Sequence, residues 1–260
     1  MSLSSYGRLA TEVYDIDKPI GRSFGDVEFY LQRLKSCTGR VLEPAVGTGR
    51  VMIPLMEAGL EMEGTDNSPE MLCICRARCA ERGLQPVLYE GDMGSLSLPE
   101  RYEAIIVPAG SFLLIERREE SLGALQRFRE HLLPGGCLIL DLELQTDFSV
   151  GAISTGTVQT PQGETITVES KVVEVNFLEQ YSVSHLRYEK WREGELVRTE
   201  MQRFALRWYG LEEFELVLRN LGFSEVVVSA DYEYGKRPTR ADQTFTFEAR
   251  LAQVGNGDPS

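Results

Sequence analysis

Histidine is nearly absent from this 260-residue chain, which has only two. That scarcity leaves few groups able to titrate near neutral pH or to complete a nitrogen-rich metal shell. Cysteine is also sparse, and five thiols in a chain this long make no disulfide scaffold. Three of them, Cys73, Cys75 and Cys79, have the spacing C-x-C-x3-C rather than the C-x2-C of a zinc knuckle, with no histidine nearby. They read as buried reduced thiols on one helix, and no metal is expected. No apolar run is long enough to span a bilayer, and no signal-peptide pattern opens the chain, so the expected compartment is the cytoplasm. Basic patches are missing too. The 27 Lys and Arg are outnumbered by 40 Asp and Glu for a net charge of -13, with the acidic excess spread over both halves. Affinity for nucleic acid or an anionic membrane rests on neutralising phosphates, which this chain is ill equipped to do. A small molecule is the expected partner. The remaining composition, 42% hydrophobic and 26% charged, is that of a globular protein.

Through the first 145 residues, apolar β-type runs alternate with amphipathic helical stretches. Strands are expected at 40–43, 60–65, 86–90, 103–107 and 137–142, and helices at 27–34, 50–58, 69–81 and 116–132. Ser68 is placed to cap the third of these helices, with Pro69 at its first position. Pro134-Gly135-Gly136 reads as the turn that stops the fourth helix. This rhythm implies an α/β, Rossmann-like, doubly wound and mostly parallel sheet. From Ile153 to Arg207 the pattern changes to period-two alternation, with turn signals at Pro161-Gln162-Gly163 and Glu193-Gly194, implying three or four antiparallel strands. A helix at 209–221 closed by Gly222 and strands at 223–229 and 243–251 complete the core. The expected division is a helical lead-in covering the cofactor over 1–39, a core of 40–150 and 208–252, an antiparallel insert at 151–207, and a disordered tail at 253–260.

The chemistry concentrates where strands end. Glu43-Pro44-Ala45-Val46-Gly47-Thr48-Gly49-Arg50 runs from the first strand straight into a helix, and glycines at such a turn let backbone approach a ligand. Asp66 closes the second strand at the same sheet edge, where a carboxylate can accept both hydroxyls of a ribose. Gly91-Asp92-Met93 follows the third strand. Together these three loops outline a nucleoside-shaped site. A dinucleotide fingerprint would place its third glycine at Met52, which is bulky, and Glu43 beside the loop would repel a phosphate. An acid there suits a sulfonium, favouring S-adenosylmethionine over NAD.

On these residues the chain resembles the class I S-adenosylmethionine-dependent methyltransferases. Glu43 through Arg50 looks like their first motif, D/E-x-x-x-G-x-G. Glu63-Gly64-Thr65-Asp66-Asn67-Ser68-Pro69-Glu70-Met71 matches the second, and Glu90-Gly91-Asp92-Met93 the adenine-flanking loop. Leu132 through Gly136 and Leu221-Gly222-Phe223 are similar to the turns before strand five and the final hairpin. The resemblance implies a seven-stranded sheet with a reversed last strand, and cofactor contacts from Glu43, Ala45, Gly47, Thr48, Gly49, Arg50, Asp66, Asn67, Ser68, Met71, Gly91, Asp92 and Met93. It also implies contacts from Pro108, Ala109 and Ser111, which follow strand four. The antiparallel insert resembles that of small bacterial enzymes methylating sugar amines. By that likeness Tyr14 and Arg22 would approach the methionine carboxylate of the cofactor. Val46 stands where relatives commonly carry cysteine, a packing position.

Such a reaction is an in-line methyl displacement to a nitrogen or oxygen of a small acceptor, driven mainly by proximity and orientation. The one candidate base is His185, in the insert on a strand face shared with Tyr181, Val183, Arg187 and Trp191. His131 reads as a helix C-terminal cation or structural residue. Arg187, Arg192, Arg198, Arg203 and Arg207 alternate with glutamates, which suggests cross-strand ion pairs. A homodimer through the insert is a further expectation. Two rival readings are an NAD-dependent oxidoreductase and a non-catalytic nucleoside-cofactor-binding protein.

Overall fold

A computed structural model describes residues 6–146 and 148–252; the expected tail at 253–260 lies outside the described residues. The apolar runs become β1 (Val41–Pro44), β2 (Met62–Asp66), β3 (Val87–Glu90), β4 (Tyr102–Val107) and β5 (Leu132–Glu143), and the final pair β10 (Phe223–Ala230) and β11 (Thr244–Leu251). They form one seven-stranded sheet in the order β10-β11-β5-β4-β1-β2-β3. β1 to β5 pair in parallel, and β11 runs antiparallel between β5 and β10. The strand reversed in the sheet is thus the last in sequence, as expected.

Helices cover both faces because the strands are apolar on both. On one face Ile105, Leu138, Leu140 and Phe247 pack with Phe128 of α5 (Arg118–His131) and Phe214 and Leu218 of α6 (Leu211–Asn220). On the other, Val41, Ile106 and Ile139 pack with Tyr30 of α2 (Asp26–Arg33), Ile53 of α3 (Met52–Glu57) and Leu72 and Cys75 of α4 (Pro69–Ala80). α4 starts where its cap directs it, with Ser68 Oγ accepting the Met71 N–H at 3.2 Å and Pro69 at the first position. Cys75 and Cys79 turn into the core one helical turn apart, whereas Cys73 is exposed, so the three thiols do not converge on one point.

Residues 153–207 form a second sheet of four antiparallel strands, β6 (Ile153–Gln159), β7 (Thr165–Asn176), β8 (Tyr181–Arg192) and β9 (Glu195–Arg207), in sequential order. Both expected turns join hairpins, and a third turn at 177–180 joins β7 to β8. Three features depart from the sequence reading. The Pro134-Gly135-Gly136 turn does not precede β5 but lies within it, taken up as a register shift against β4 between Tyr102 and Ala104. The α5 helix starts at Arg118, not Glu116, whose main-chain oxygen accepts from the Arg207 guanidinium at 2.7 Å and 2.9 Å instead. Finally, the lead-in contains a helix the sequence reading lacked, α1 (Arg8–Asp17). Glu200 of β9 accepts from the Leu9 N–H at its start (3.1 Å), and Asp15 pairs with Arg78 of α4 at 2.7 Å. That arrangement pins α1 between the two sheets.

Candidate active site

Two cavities of about 600 Å³ each open at the carboxyl edge of the parallel strands, under the inner end of β9. Such volumes suit small organic ligands. They share Tyr6, Tyr14, Ser111, Leu114 and Phe204, and so form adjoining chambers. Ala45, Gly47, Asp66, Asn67, Met71, Gly91, Asp92 and Met93 line the first chamber, and Tyr14 and Ser111 line both. Arg22, Arg50 and Ala109 line the second. Glu43, Thr48, Gly49, Ser68 and Pro108 line neither.

The two turn glycines illustrate that division. A Cβ on Gly47 (φ +57) would meet only Met71 Sδ and Tyr14 Cε1, both at 3.9 Å at the chamber wall. On Gly49 (φ +86) it would sit 2.9 Å from Cys75 Sγ and 3.0 Å from Ile53 Cδ1. Gly47 therefore keeps the chamber open, and Gly49 lets α3 and α4 close beneath it. Ser68 is used up as the α4 cap and as a donor to the Tyr6 carbonyl at 2.8 Å.

Asp66 ties the loops of β1 and β2 together. One carboxylate oxygen accepts the Gly47 N–H at 2.8 Å and the other the Ser68 N–H at 2.9 Å. Burial pushes this carboxyl up, and the N–H groups of Ser68, Gly47 and Asn67 pull it back. Each oxygen retains lone-pair capacity for a further donor. Beyond it the chamber is walled by Met71, Met93, Leu114 and Ile115, an apolar slot bordered by Asp92. A nucleoside fits that donor set, with a carboxylate for ribose hydroxyls, glycine backbone beside it, and an apolar slot for a base.

Arg50 is almost wholly buried and pairs with the equally buried Asp26 at 2.5 Å, also donating to the Arg22 carbonyl at 3.2 Å. Burial raises the Asp26 carboxyl, but the hydrogen bond and charge of Arg50 outweigh it and hold the carboxyl low. Glu43 lies behind this pair, 3% exposed, with Oε2 unpartnered. Burial drives its carboxyl well above the usual range, Arg50 opposes, and Asp26 and Asp66 add to the rise. A preference for a sulfonium over a phosphate therefore does not rest on Glu43. An acid pushed toward its neutral form behind the wall neither repels a phosphate nor attracts a sulfonium with full strength. Arg22 faces the second chamber only, its guanidinium 5.0 Å from the Phe24 ring and bonded to the Asp17 carbonyl at 2.5 Å.

The second chamber holds residues the sequence reading missed, notably Glu143, Phe204, Leu206 and Tyr232. Below it, buried Asp141 accepts from the Ala109 N–H at 2.9 Å, the Thr246 hydroxyl at 2.8 Å and the Tyr232 hydroxyl at 3.1 Å. It thereby fixes the loop after β4 and the turn after β10. Burial raises its carboxyl from 3.8 to about 6, and those donors offset only part of the rise. Since the folded value exceeds the unfolded one, the folded state retains the proton longer. This contribution is fully present below about pH 4 and is lost as pH rises to about 6. Asp141→Asn removes it. The variant's stability relative to the parent should rise by up to about 3 kcal/mol across that window. Denaturant midpoints at several pH values check this, and a pH-independent difference would reject it.

His185 is exposed on β8 and lines neither chamber, which removes it as a candidate base. His131 has a structural place at the end of α5, its Nδ1 facing the Arg127 carbonyl at 2.8 Å while Nε2 accepts the Leu98 N–H at 3.0 Å. Arg187, Arg192 and Arg198 do pair with glutamates of the insert, whereas Arg203 reaches Glu116 and Arg207 is buried.

Residues 41–136 match the methyltransferase domain family, covering the glycine turn, Asp66 and the loop of Asp92. A dTDP-3-amino-3,6-dideoxy-alpha-D-glucopyranose N,N-dimethyltransferase of Streptomyces fradiae is 28% identical, over 76% of this chain and 71% of its own. The CcbJ methyltransferase of Streptomyces caelestis superposes with a TM-score of 0.75 at 24% identity, covering 97% of this chain and 100% of that one. The sugar N-methyltransferase KedS8 of a Streptoalloteichus species gives 0.70 at 21%, covering 90% of each. This likeness in fold extends across both sheets. The matched segment and the shared topology agree: residues 41–136 are a methyltransferase domain, carried on the fold of S-adenosylmethionine-dependent methyltransferases.

Proposed function

We propose that this protein methylates an amine of a small, sugar-like acceptor, with cofactor in the first chamber and acceptor in the second. The observation that carries this reading is the junction of the two chambers along Tyr14, Ser111 and Leu114, where a donor and an acceptor can meet. Bound in the first chamber, the cofactor supplies a methyl group already activated by its sulfonium. Asp66 would hold the ribose, the backbone at Gly47 would allow close approach, and Met71, Met93 and Asp92 would flank the base. Tyr14, at the junction, would face the methionine portion, with Arg22 beyond it. The remaining residues proposed from the sequence, Glu43, Thr48, Gly49, Ser68 and Pro108, would act from behind the wall by shaping these loops.

The protein's contribution to rate is then alignment, for which holding two reactants in register is worth roughly 7–11 kcal/mol. Phe204 and Leu206 of the insert give the acceptor side an apolar wall. The amine class is supported by the amino-sugar enzyme of Streptomyces fradiae among the relatives. Calorimetric titration with S-adenosylmethionine and S-adenosylhomocysteine, followed by product detection with amino sugars, tests the reading. Micromolar binding of both cofactor forms and methylated product are expected. Binding of neither form would overturn it.

A further inference from the structure

The acids lining the second chamber do not have equal freedom. Asp26 is committed to Arg50, Asp17 lies 3.7 Å from Arg22, and Asp231 accepts from Gln243 Nε2 at 2.6 Å. Among the described residues the carboxylate of Glu143 has neither a hydrogen bond nor an ion pair. Glu143 is the last residue of β5, exposed to the chamber rather than packed in the sheet. Its position is also specific. A Cβ placed on Gly110 (φ +68) would lie 4.0 Å from Glu143 Cγ and Cδ, so the side chain runs along the loop after β4. The next residue of that loop, Ser111, faces both chambers. The remaining cations of this chamber lie toward the lead-in: Arg22 and Arg50 are engaged there, and Lys18 sits 5.2 Å from the Tyr14 ring centre.

We propose that Glu143 is the specificity-determining carboxylate of the acceptor site, binding the acceptor's ammonium group beside the junction and selecting amines over alcohols. The proposal rests on the assignment of the second chamber to the acceptor. A cationic nitrogen is the group that an unpaired carboxylate binds best, through charge-assisted hydrogen bonds. Phe204 and Leu206, which line the same chamber, lower the local dielectric and strengthen that attraction. A hydroxyl in the same place offers one neutral donor and no charge. Selection for amines therefore comes from the charge, while the apolar wall and the Gly110 loop limit where the nitrogen can sit.

The test uses the full chain saturated with S-adenosylhomocysteine, titrated with 3-amino-3-deoxyglucose and with glucose. The parent should bind the amino sugar at least tenfold tighter. Glu143→Gln and Glu143→Ala should each lose that preference tenfold or more while binding S-adenosylhomocysteine within twofold of the parent. Because Glu143 is an exposed strand end, both variants should melt within a few degrees of the parent. Equal binding of the two sugars by the parent, or a preference that survives in both variants, overturns the assignment of Glu143. Failure of the parent to bind S-adenosylhomocysteine overturns the methyl-transfer reading beneath it.

Discussion

Replacing Asp66 with alanine is expected to weaken S-adenosylhomocysteine binding by about 100- to 1,000-fold. Two losses combine. A carboxylate meeting two ribose hydroxyls makes charge-assisted hydrogen bonds worth about 1.5–3 kcal/mol each. The same side chain anchors the Gly47 and Ser68 N–H groups, so its removal also releases the glycine turn and the start of α4. Asp66→Asn should lose less, because an amide can keep one of those N–H groups and one ligand donor. Calorimetry on the three proteins measures the series. Binding by the alanine variant within fivefold of the parent would remove Asp66 from the ribose site.

The second large effect concerns stability rather than binding. Arg50→Met should cost about 3–5 kcal/mol at neutral pH, the usual penalty for breaking a buried ion pair from one side. Methionine fills much of the space but leaves Asp26 without its cation. It also strips Glu43 of the one positive charge that opposes its rise. For a chain of this size that corresponds to a fall in Tm of about 6–20 °C. The sign of the pH dependence follows from Asp26. Arg50 holds its folded carboxyl low, so the pair's contribution is present above the unfolded carboxylate value and fades as pH falls through the folded one. The gap between parent and variant should therefore narrow in acid. A loss under 1 kcal/mol, or a gap that widens toward pH 4, would contradict this account.

Legibility in the sequence followed the locality of the cause. The turn from Glu43 to Arg50, the Ser68 cap and the acid that ends β2 are set by residues within a few positions of one another, and the structure has them at one sheet edge. Pro134-Gly135-Gly136 was misleading because a strand can absorb such a turn when its neighbour holds both flanks, as β4 does at Tyr102 and Ala104. α1 escaped notice because it buries only Leu9, Ala10 and Thr11 and owes its place to distant partners, Glu200 and Arg78. The second chamber was harder still. Its walls come from the lead-in, the ends of β4 and β5, the last turn of β9 and the bend after β10, and only the packing of the two sheets brings them together. Glu143 could have been found by the rule that found Asp66, since both close a strand at the carboxyl edge.

The place of β11 has a consequence for the order in which the protein is made. β11 lies between β5 and β10, yet it follows the whole insert in sequence. Until residues 244–251 are in place, β5 presents an unsatisfied edge and the core lacks Phe245 and Phe247. A ribosome-bound intermediate with a finished insert would therefore still expose a sticky strand, the kind of surface that invites misassembly and chaperone capture. Thr246, which donates to Asp141 beneath the second chamber, arrives with that same strand. Completion of the fold and completion of the second chamber thus become a single late event in biogenesis.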